Sequence, residues 1–328
     1  MGSSPLFLEM FSSEPNAATG VSFARFMELA MYHPVVGYYT SKRRRVGRDK
    51  KADFFTATTF SPVFGELVVA ATIKLLGARA ASDLIFVEIG SEPAGGVLRN
   101  VVHPFKEYRT ISFGQPITLP SRCVVFSNEL FDAQPFHRVV FRRGAWRELG
   151  VAWQADELKE VELAKFCPEV AAAANRLPAV AREDYHIDMP LRAEAILKPM
   201  ADQVWTGLFL AFDYGKSWRE LAEAIPSGTG RTYFRQRMGA ELLARPGEQD
   251  LTCHICWDWL VDVLQNRGFG EANVESHERF FMHHASPTLA AITAAEAGHF
   301  SPRKQMLQQL LHPANMGQKF QAMHALRD

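Results

Sequence analysis

The stretch Asp83-Leu-Ile-Phe-Val-Glu-Ile-Gly90-Ser-Glu-Pro-Ala-Gly-Gly-Val-Leu-Arg99 decides how the rest of the chain is read. A short run of β-branched and aromatic residues ends in Glu88 and Gly90. It then turns through small residues into a segment that reads as a helix. Strand, turn and helix in that order are the layout of a nucleotide-type cofactor site in a doubly wound α/β sheet. The glycine spacing in the turn departs from that layout, and the function hangs on how far.

Two more runs, Cys123 to Phe126 and Leu208 to Phe212, are short, continuous and apolar, as strands buried on both faces are. They end in Ser127-Asn128-Glu129 and Asp213-Tyr214-Gly215. In an open α/β sheet the ligand crevice lies outside the carboxyl ends of the strands. Glu88, Asn128, Glu129 and Asp213 are therefore expected on one rim. For any one of them alone, a capping role is the competing reading.

Outside this frame, Ser22 caps a helix carrying Phe23, Phe26, Met27, Leu29 and Ala30 at helical spacing. Ser61-Pro62 opens another, with Phe64, Leu67, Val68, Ala71, Ile73 and Leu75 as its expected core row. His137 to Phe141 and Trp146 to Trp153 read as an extended meander. Residues 165–205 read as Ala-rich and helical, broken at Cys167-Pro168 and Met189-Pro190. A helix at Trp257 to Asn266 stops at Gly268, and two further helices precede a last strand near Lys319 to Leu326. The expected organisation is a helical segment over 1–80 packed on an α/β domain over 81–328, with an inserted region around 137–205.

Net charge is formally zero, which removes any bulk electrostatic case for nucleic acid or an anionic membrane. The basic run Lys42-Arg43-Arg44-Arg45, continued by Arg48, Lys50 and Lys51, reads as a solvated loop. Four cysteines are too few for a disulfide scaffold and suit a reducing compartment. The start shows no secretory pattern and no apolar run is long enough to span a bilayer, so the expectation is a cytoplasmic protein without membrane insertion. Cys253-His-Ile-Cys256 has CxxC spacing but lacks a second pair, and His277, His283 and His284 sit on no strong ligand motif, so no metal site is expected.

Several stretches together resemble the MidA-like proteins, a family that includes a mitochondrial complex I assembly factor regarded as a protein arginine methyltransferase. They are Ser22-Phe-Ala-Arg-Phe-Met-Glu-Leu-Ala-Met-Tyr-His-Pro with Gly37-Tyr-Tyr, then Asp53-Phe-Phe-Thr-Ala with Ser61-Pro-Val-Phe-Gly-Glu66, and Asn128-Glu-Leu-Phe-Asp-Ala-Gln-Pro135. Asp213-Tyr-Gly, Gly228-Thr-Gly-Arg-Thr-Tyr233, Pro246 to Thr252 with His254, and Met316-Gly-Gln-Lys-Phe320 follow in the family's order. The resemblance implies a Rossmann-like S-adenosylmethionine (SAM) methyltransferase sheet with extra N-terminal and inserted helical elements. It implies SAM as cofactor, with Asp53, Phe54, Thr56, Phe64, Gly65, Glu88, Gly90 and Asn128 as cofactor contacts. Asn128, Glu129 and Asp132 are the expected catalytic groups, and a protein nitrogen is the expected acceptor.

The chain departs from the family at two places. Glu92 and Ala94 stand where the family's cofactor turn has its second and third glycines. Glycine there lets backbone approach the ligand, whereas glutamate brings a side chain and a negative charge. From Tyr108 to Asn128 there is no Asp or Glu to meet a ribose, and the segment from Gly90 to Asn128 is too short for two strand–helix units of about 30 residues each. The sheet is therefore expected to be trimmed near its second strand, with Tyr108 to Phe113 as the remnant. Two readings follow: a working SAM-dependent methyltransferase, or a methyltransferase-like protein that has lost SAM and acts through protein contacts. A NAD-type dehydrogenase is disfavoured by the same missing residues.

Overall fold

The computed structural model describes residues 4–40, 62–91, 95–235, 237–298 and 301–328. The chain divides into two compact units. One comprises Thr56–Leu130, Ile196–Gly215 and Trp257–Asp328, and the other Met1–Phe55, Phe131–Ala195 and Lys216–Cys256.

The first unit is built on a six-stranded sheet. Its spatial order is Asn273–Ser276, Gln321–Arg327, Thr206–Asp213, Arg122–Asn128, Ile85–Ile89 and Glu107–Ile111. The last four are mutually parallel, whereas Gln321–Arg327 runs antiparallel to Thr206–Asp213. Strands of a covered parallel sheet bury both faces, which explains their nearly continuous apolar runs. On one face Phe86, Val124, Phe126, Leu208, Leu210 and Phe212 join a core with Phe64, Leu67 and Val68 of the helix Pro62–Leu76. On the other face Val87, Ile89, Val125, Phe209 and Ala211 are also buried. Each fully buried Phe or Leu contributes about 1.5–3 kcal/mol. Ile73, expected in the core row, is 44% exposed and lies off that stripe.

The trimming is visible in the crossovers. Parallel neighbours need a connection that usually contains a helix. The chain instead returns from Ile89 to Glu107, and from Ile111 to Arg122, with no helix among the described residues of either segment. The helix expected after Gly90 is replaced by turns over 97–100. Tyr108 to Ile111, read as a remnant, lies within a true parallel edge strand.

The second unit is organised on an antiparallel sheet in the order Val21–Ser22, Ala145–Gln154, His137–Arg142 and Tyr185–Met189, with Glu157–Glu162 also paired to Ala145–Gln154. The hairpin turn Arg143-Gly144 has positive φ at both residues, 54° and 72°, the twist that a two-residue hairpin favours. The helices Pro5–Ser12 and Phe23–Tyr32 supply Phe7, Phe11, Phe23 and Phe26 to this unit's aromatic core. Ser22 caps the second of them by accepting from Arg25 N at 3.2 Å. Tyr185–Met189 corrects the helical reading of 165–205: Tyr185, Ile187 and Met189 alternate inward at the period of a strand. The grouping also differs from the expected division at residue 80, because the helix Pro62–Leu76 belongs with the large sheet while residues 4–40 belong with the antiparallel one.

Candidate active site

Two neighbouring parallel strands of the large sheet stop in the same manner. Ile85–Ile89 runs into Gly90 at φ 81°, and Arg122–Asn128 runs into Glu129 at φ 53°. That backbone angle favours glycine, while a Cβ there would have only the tip of the Leu130 side chain to displace, 2.9 Å away. Glu129 has no such excuse. The left-handed conformation costs a side-chain-bearing residue about 1–2 kcal/mol, and such costs concentrate at functional sites. Its N–H donates to the Phe212 carbonyl at 2.9 Å, which holds the turn against the next strand.

Unpartnered polar atoms gather at these strand ends. Ser91 Oγ, Ser127 Oγ and Asn128 Oδ1 are buried with no hydrogen-bond partner among the described residues. The Asn128 amide donates through Nδ2 to Glu129 Oε1 at 2.8 Å, an assignment that leaves Oδ1 as the acceptor. A buried polar group left unpaired costs about 1–3 kcal/mol. Such atoms at the carboxyl rim of a parallel sheet mark where a polar ligand would be held.

Glu88 plays a different part from the one expected. It is 3% exposed, and its Oε2 accepts from Val97 N at 2.7 Å and from the Tyr108 hydroxyl. Burial pushes its carboxyl up, against the opposing effect of those two hydrogen bonds. Gly96, next to Val97, sits at φ 123°, and any side chain there would strike the Tyr108 hydroxyl. Glu88 thus clasps the turn following the cofactor loop and ties it to the edge strand.

Phe64 and Gly65, expected at the cofactor, are placed in the core. The Phe64 ring is fully buried against Phe212, His277 and Phe281, with centroids 5.5, 5.9 and 6.0 Å away. Gly65 lets the helix meet the Val97 carbonyl, which a Cβ would overlap. Asp213 is buried and accepts from Tyr214 N at 2.8 Å. Asp53, Phe54 and Thr56 lie outside the described residues, as do Glu92 and Ala94. The edge strand ends at Ile111, followed by Ser112, and offers no carboxylate at that end, its one acid, Glu107, lying at the opposite end.

Asp132 belongs to the second unit, where sequence motifs far apart in the chain meet. The Tyr32 hydroxyl donates to the Ala133 carbonyl at 2.8 Å, Tyr39 donates to Asp250 at 3.2 Å, and the two tyrosine rings stack at 5.4 Å. Burial, with the charges of Asp250 and Asp132, pushes both phenols well above their ordinary range. Asp132 itself is 5% exposed, and its carbonyl accepts from Cys253 N at 3.2 Å.

The same unit holds a network that the sequence reading missed. Asp188 Oδ2 accepts from Thr229 N and Gly230 N, both at 2.6 Å, which fixes the Gly228-Thr-Gly turn. That turn positions Thr229 Oγ1 to accept from His254 N at 3.1 Å, while an Arg231 guanidinium N–H faces His254 Nε2 at 2.8 Å. Burial, reinforced by Arg231, lowers His254 to about 3, so its ring is neutral. Arg231 can only donate, so Nε2 is the acceptor and Nδ1 carries the proton. The sequence marked the Gly228 to Tyr233 stretch and His254 as motifs but gave no sign of Asp188, which lies on the strand Tyr185–Met189 that was read as helix.

Residues 83–273 match the model of the family described as "Putative S-adenosyl-L-methionine-dependent methyltransferase". The chain is 23% identical to the Danio rerio protein arginine methyltransferase NDUFAF7, mitochondrial, over 94% of its own length and 84% of that protein. It is 22% identical to the Homo sapiens protein of the same name, over 92% and 78% of the two chains. Among solved structures, a Burkholderia thailandensis protein bound to S-adenosyl-homocysteine is similar at a TM-score of 0.84 and 24% identity, covering 98% of this chain and 92% of that one. That likeness establishes the fold.

Proposed function

The chain belongs to the MidA-like family of SAM-dependent methyltransferases, and from that premise we propose that it transfers a methyl group to a nitrogen of a protein substrate, the arginine guanidinium first among them. The observation carrying this reading is the set of orphaned buried atoms at the strand ends, Ser91 Oγ, Ser127 Oγ and Asn128 Oδ1, beside the left-handed Gly90 and Glu129. They fit a polar cofactor. Gly90 leaves the backbone open to close approach, Ser91 and Ser127 offer hydroxyls, and Asn128 Oδ1 offers an acceptor for an N–H. The strand Glu107–Ile111 and the residues that follow it to Asn128 carry no carboxylate at their rim end to receive a ribose.

Bound SAM supplies an electrophilic methyl on a sulfonium. The chain's own groups have to orient the nucleophile and balance its charge. Asn128, locked by its hydrogen bond to Glu129, presents an acceptor with one orientation, and the Glu129 carboxylate is the anion nearest to it in the chain. A guanidinium is planar and always cationic, which matches a carboxylate flanked by an amide oxygen. The Danio rerio and Homo sapiens relatives are mitochondrial; for this chain we propose a cytoplasmic location, with its four free cysteines fitting a reducing compartment. Among the described residues, no helix is long and apolar enough to cross a membrane.

Calorimetric titration with SAM and with S-adenosyl-homocysteine tests the reading. Micromolar binding, weakened at least tenfold by Asn128→Ala, together with transfer of labelled methyl to arginine-containing peptides, is the expected result. No heat and no thermal shift at millimolar cofactor would sink the enzyme and leave the chain as a protein-interaction factor of the same fold.

A further inference from the structure

Away from the methyltransferase sheet, three metal-ligating side chains converge in the antiparallel unit. His137 begins the strand His137–Arg142, Glu148 lies on Ala145–Gln154, and Cys167 caps the short helix Pro168–Ala173. His137 is 7% exposed and Glu148 1%. His137 Nδ1 lies 3.1 Å from Glu148 Oε1 and 3.4 Å from Cys167 Sγ, and all three ligand atoms fall within 4.8 Å of one another. We propose that His137, Glu148 and Cys167 form a site for a divalent zinc-class cation.

The distances carry the argument. A tetrahedral ion with Zn–S of about 2.3 Å and Zn–N and Zn–O of about 2.0–2.1 Å holds its ligand atoms about 3.3–3.6 Å apart. Two of the separations, His137 Nδ1 to Glu148 Oε1 and to Cys167 Sγ, are within a few tenths of an ångström of that, and the third, between Glu148 and Cys167, is no more than 4.8 Å. Ligand chemistry agrees, since thiolate with imidazole and carboxylate selects zinc over calcium or magnesium.

Binding balances in charge as well. The Cys167 S–H bond breaks, the proton leaves to solvent and the sulfur–metal bond forms, so that one thiolate and one carboxylate neutralise a dication held beside a neutral imidazole.

A second convergence in the described residues shows the contrast. Glu275 receives His283 at 2.8 Å and His284 at 2.9 Å, but Arg279 lies 3.3 Å from the same carboxylate and Lys74 donates to the His283 carbonyl. Arg279 already pairs with that carboxylate, so a dication there would meet a fixed cation.

The test uses the full chain, stripped with a chelator and titrated with Zn²⁺ and separately with Co²⁺. The expected result is one equivalent of zinc per chain and a thiolate-to-cobalt charge-transfer band. Both should be lost in Cys167→Ser, and zinc affinity should fall at least a hundredfold in His137→Gln. Serine keeps the helix cap, so Cys167→Ser removes the ligand without removing the fold. Absence of the band in the wild-type chain, or a band and stoichiometry unchanged in Cys167→Ser, overturns the proposal. The second outcome would place the metal on another cysteine or on the Glu275 cluster.

Discussion

Glu88 and Asp188 are buried carboxylates that each hold a glycine turn in place, one in each unit, and they differ in what balances them. Asp188 accepts from two backbone N–H groups, and Arg138 Nε lies 3.0 Å from its other oxygen, an ion pair too oblique for a hydrogen bond. Arg138 is braced in turn by Glu160 at 3.3 Å and by the Phe23 ring at 5.5 Å. Glu88 has a hydroxyl and one N–H and, among the described residues, no cation acting on its carboxyl, so burial prevails and raises its affinity for a proton. Arg138 makes Asp188 part of a charged lattice, whereas the two hydrogen bonds to Glu88 only partly offset the cost of burying its charge. Removing the two should therefore cost different amounts, and for different reasons.

The largest effect belongs to Asp188→Ala. It strands the Arg138 guanidinium, whose side chain is 12% exposed, and orphans the Thr229 and Gly230 N–H groups. Breaking a buried pair in this way costs about 3–5 kcal/mol, to be read as a lowered urea midpoint at unchanged slope. A loss under about 1 kcal/mol would show that Arg138 is solvated without its partner.

Glu88→Ala should cost about 1–3 kcal/mol, because it leaves Val97 N and the Tyr108 hydroxyl unpaired. Glu88→Gln keeps an acceptor for both and removes the charge. The carboxyl's folded pKa lies above its ordinary 4.5, so its contribution is full below that pH and is lost as pH rises through the folded value. Stability of Glu88→Gln relative to wild type should thus be lowest near pH 4 and grow toward pH 7. A flat difference across that range would remove burial as the dominant influence on Glu88.

Ser127→Ala should have the smallest effect on stability. Its hydroxyl is 2% exposed and unpartnered among the described residues, so its removal leaves the unfolding free energy within about 0.5 kcal/mol or raises it. Cofactor titration of the same variant should show weakened binding. A loss of stability instead would reassign Ser127 from the rim to the structural clasp.

Much of the large sheet was readable in advance. Runs such as Leu84 to Ile89 and Leu208 to Phe212 are apolar on both faces, and burial on both faces is what writes such runs. Gly90 was legible for the same kind of local reason, since the turn needs a left-handed residue, a conformation that favours glycine. Phe64 was misread because an aromatic beside a motif looks alike whether it meets a ligand or Phe212, and only the packing tells them apart. The strand Tyr185–Met189 was masked by its alanine-rich surroundings, whose helical propensity outweighed a five-residue alternation.

The sequence by itself determined the elements whose cause is local: the apolar runs of the central parallel strands, the helical period after Ser22 and Pro62, the Ser22 cap, the glycine turn, and the missing acid after Tyr108. Only the tertiary structure decided that Glu88 holds a turn, that Asp188 is paired with Arg138, and that His137, Glu148 and Cys167 face one another. The reason is physical. Backbone conformation is set within a few residues, whereas the charge state and role of a side chain depend on partners that the chain brings together from far along its length.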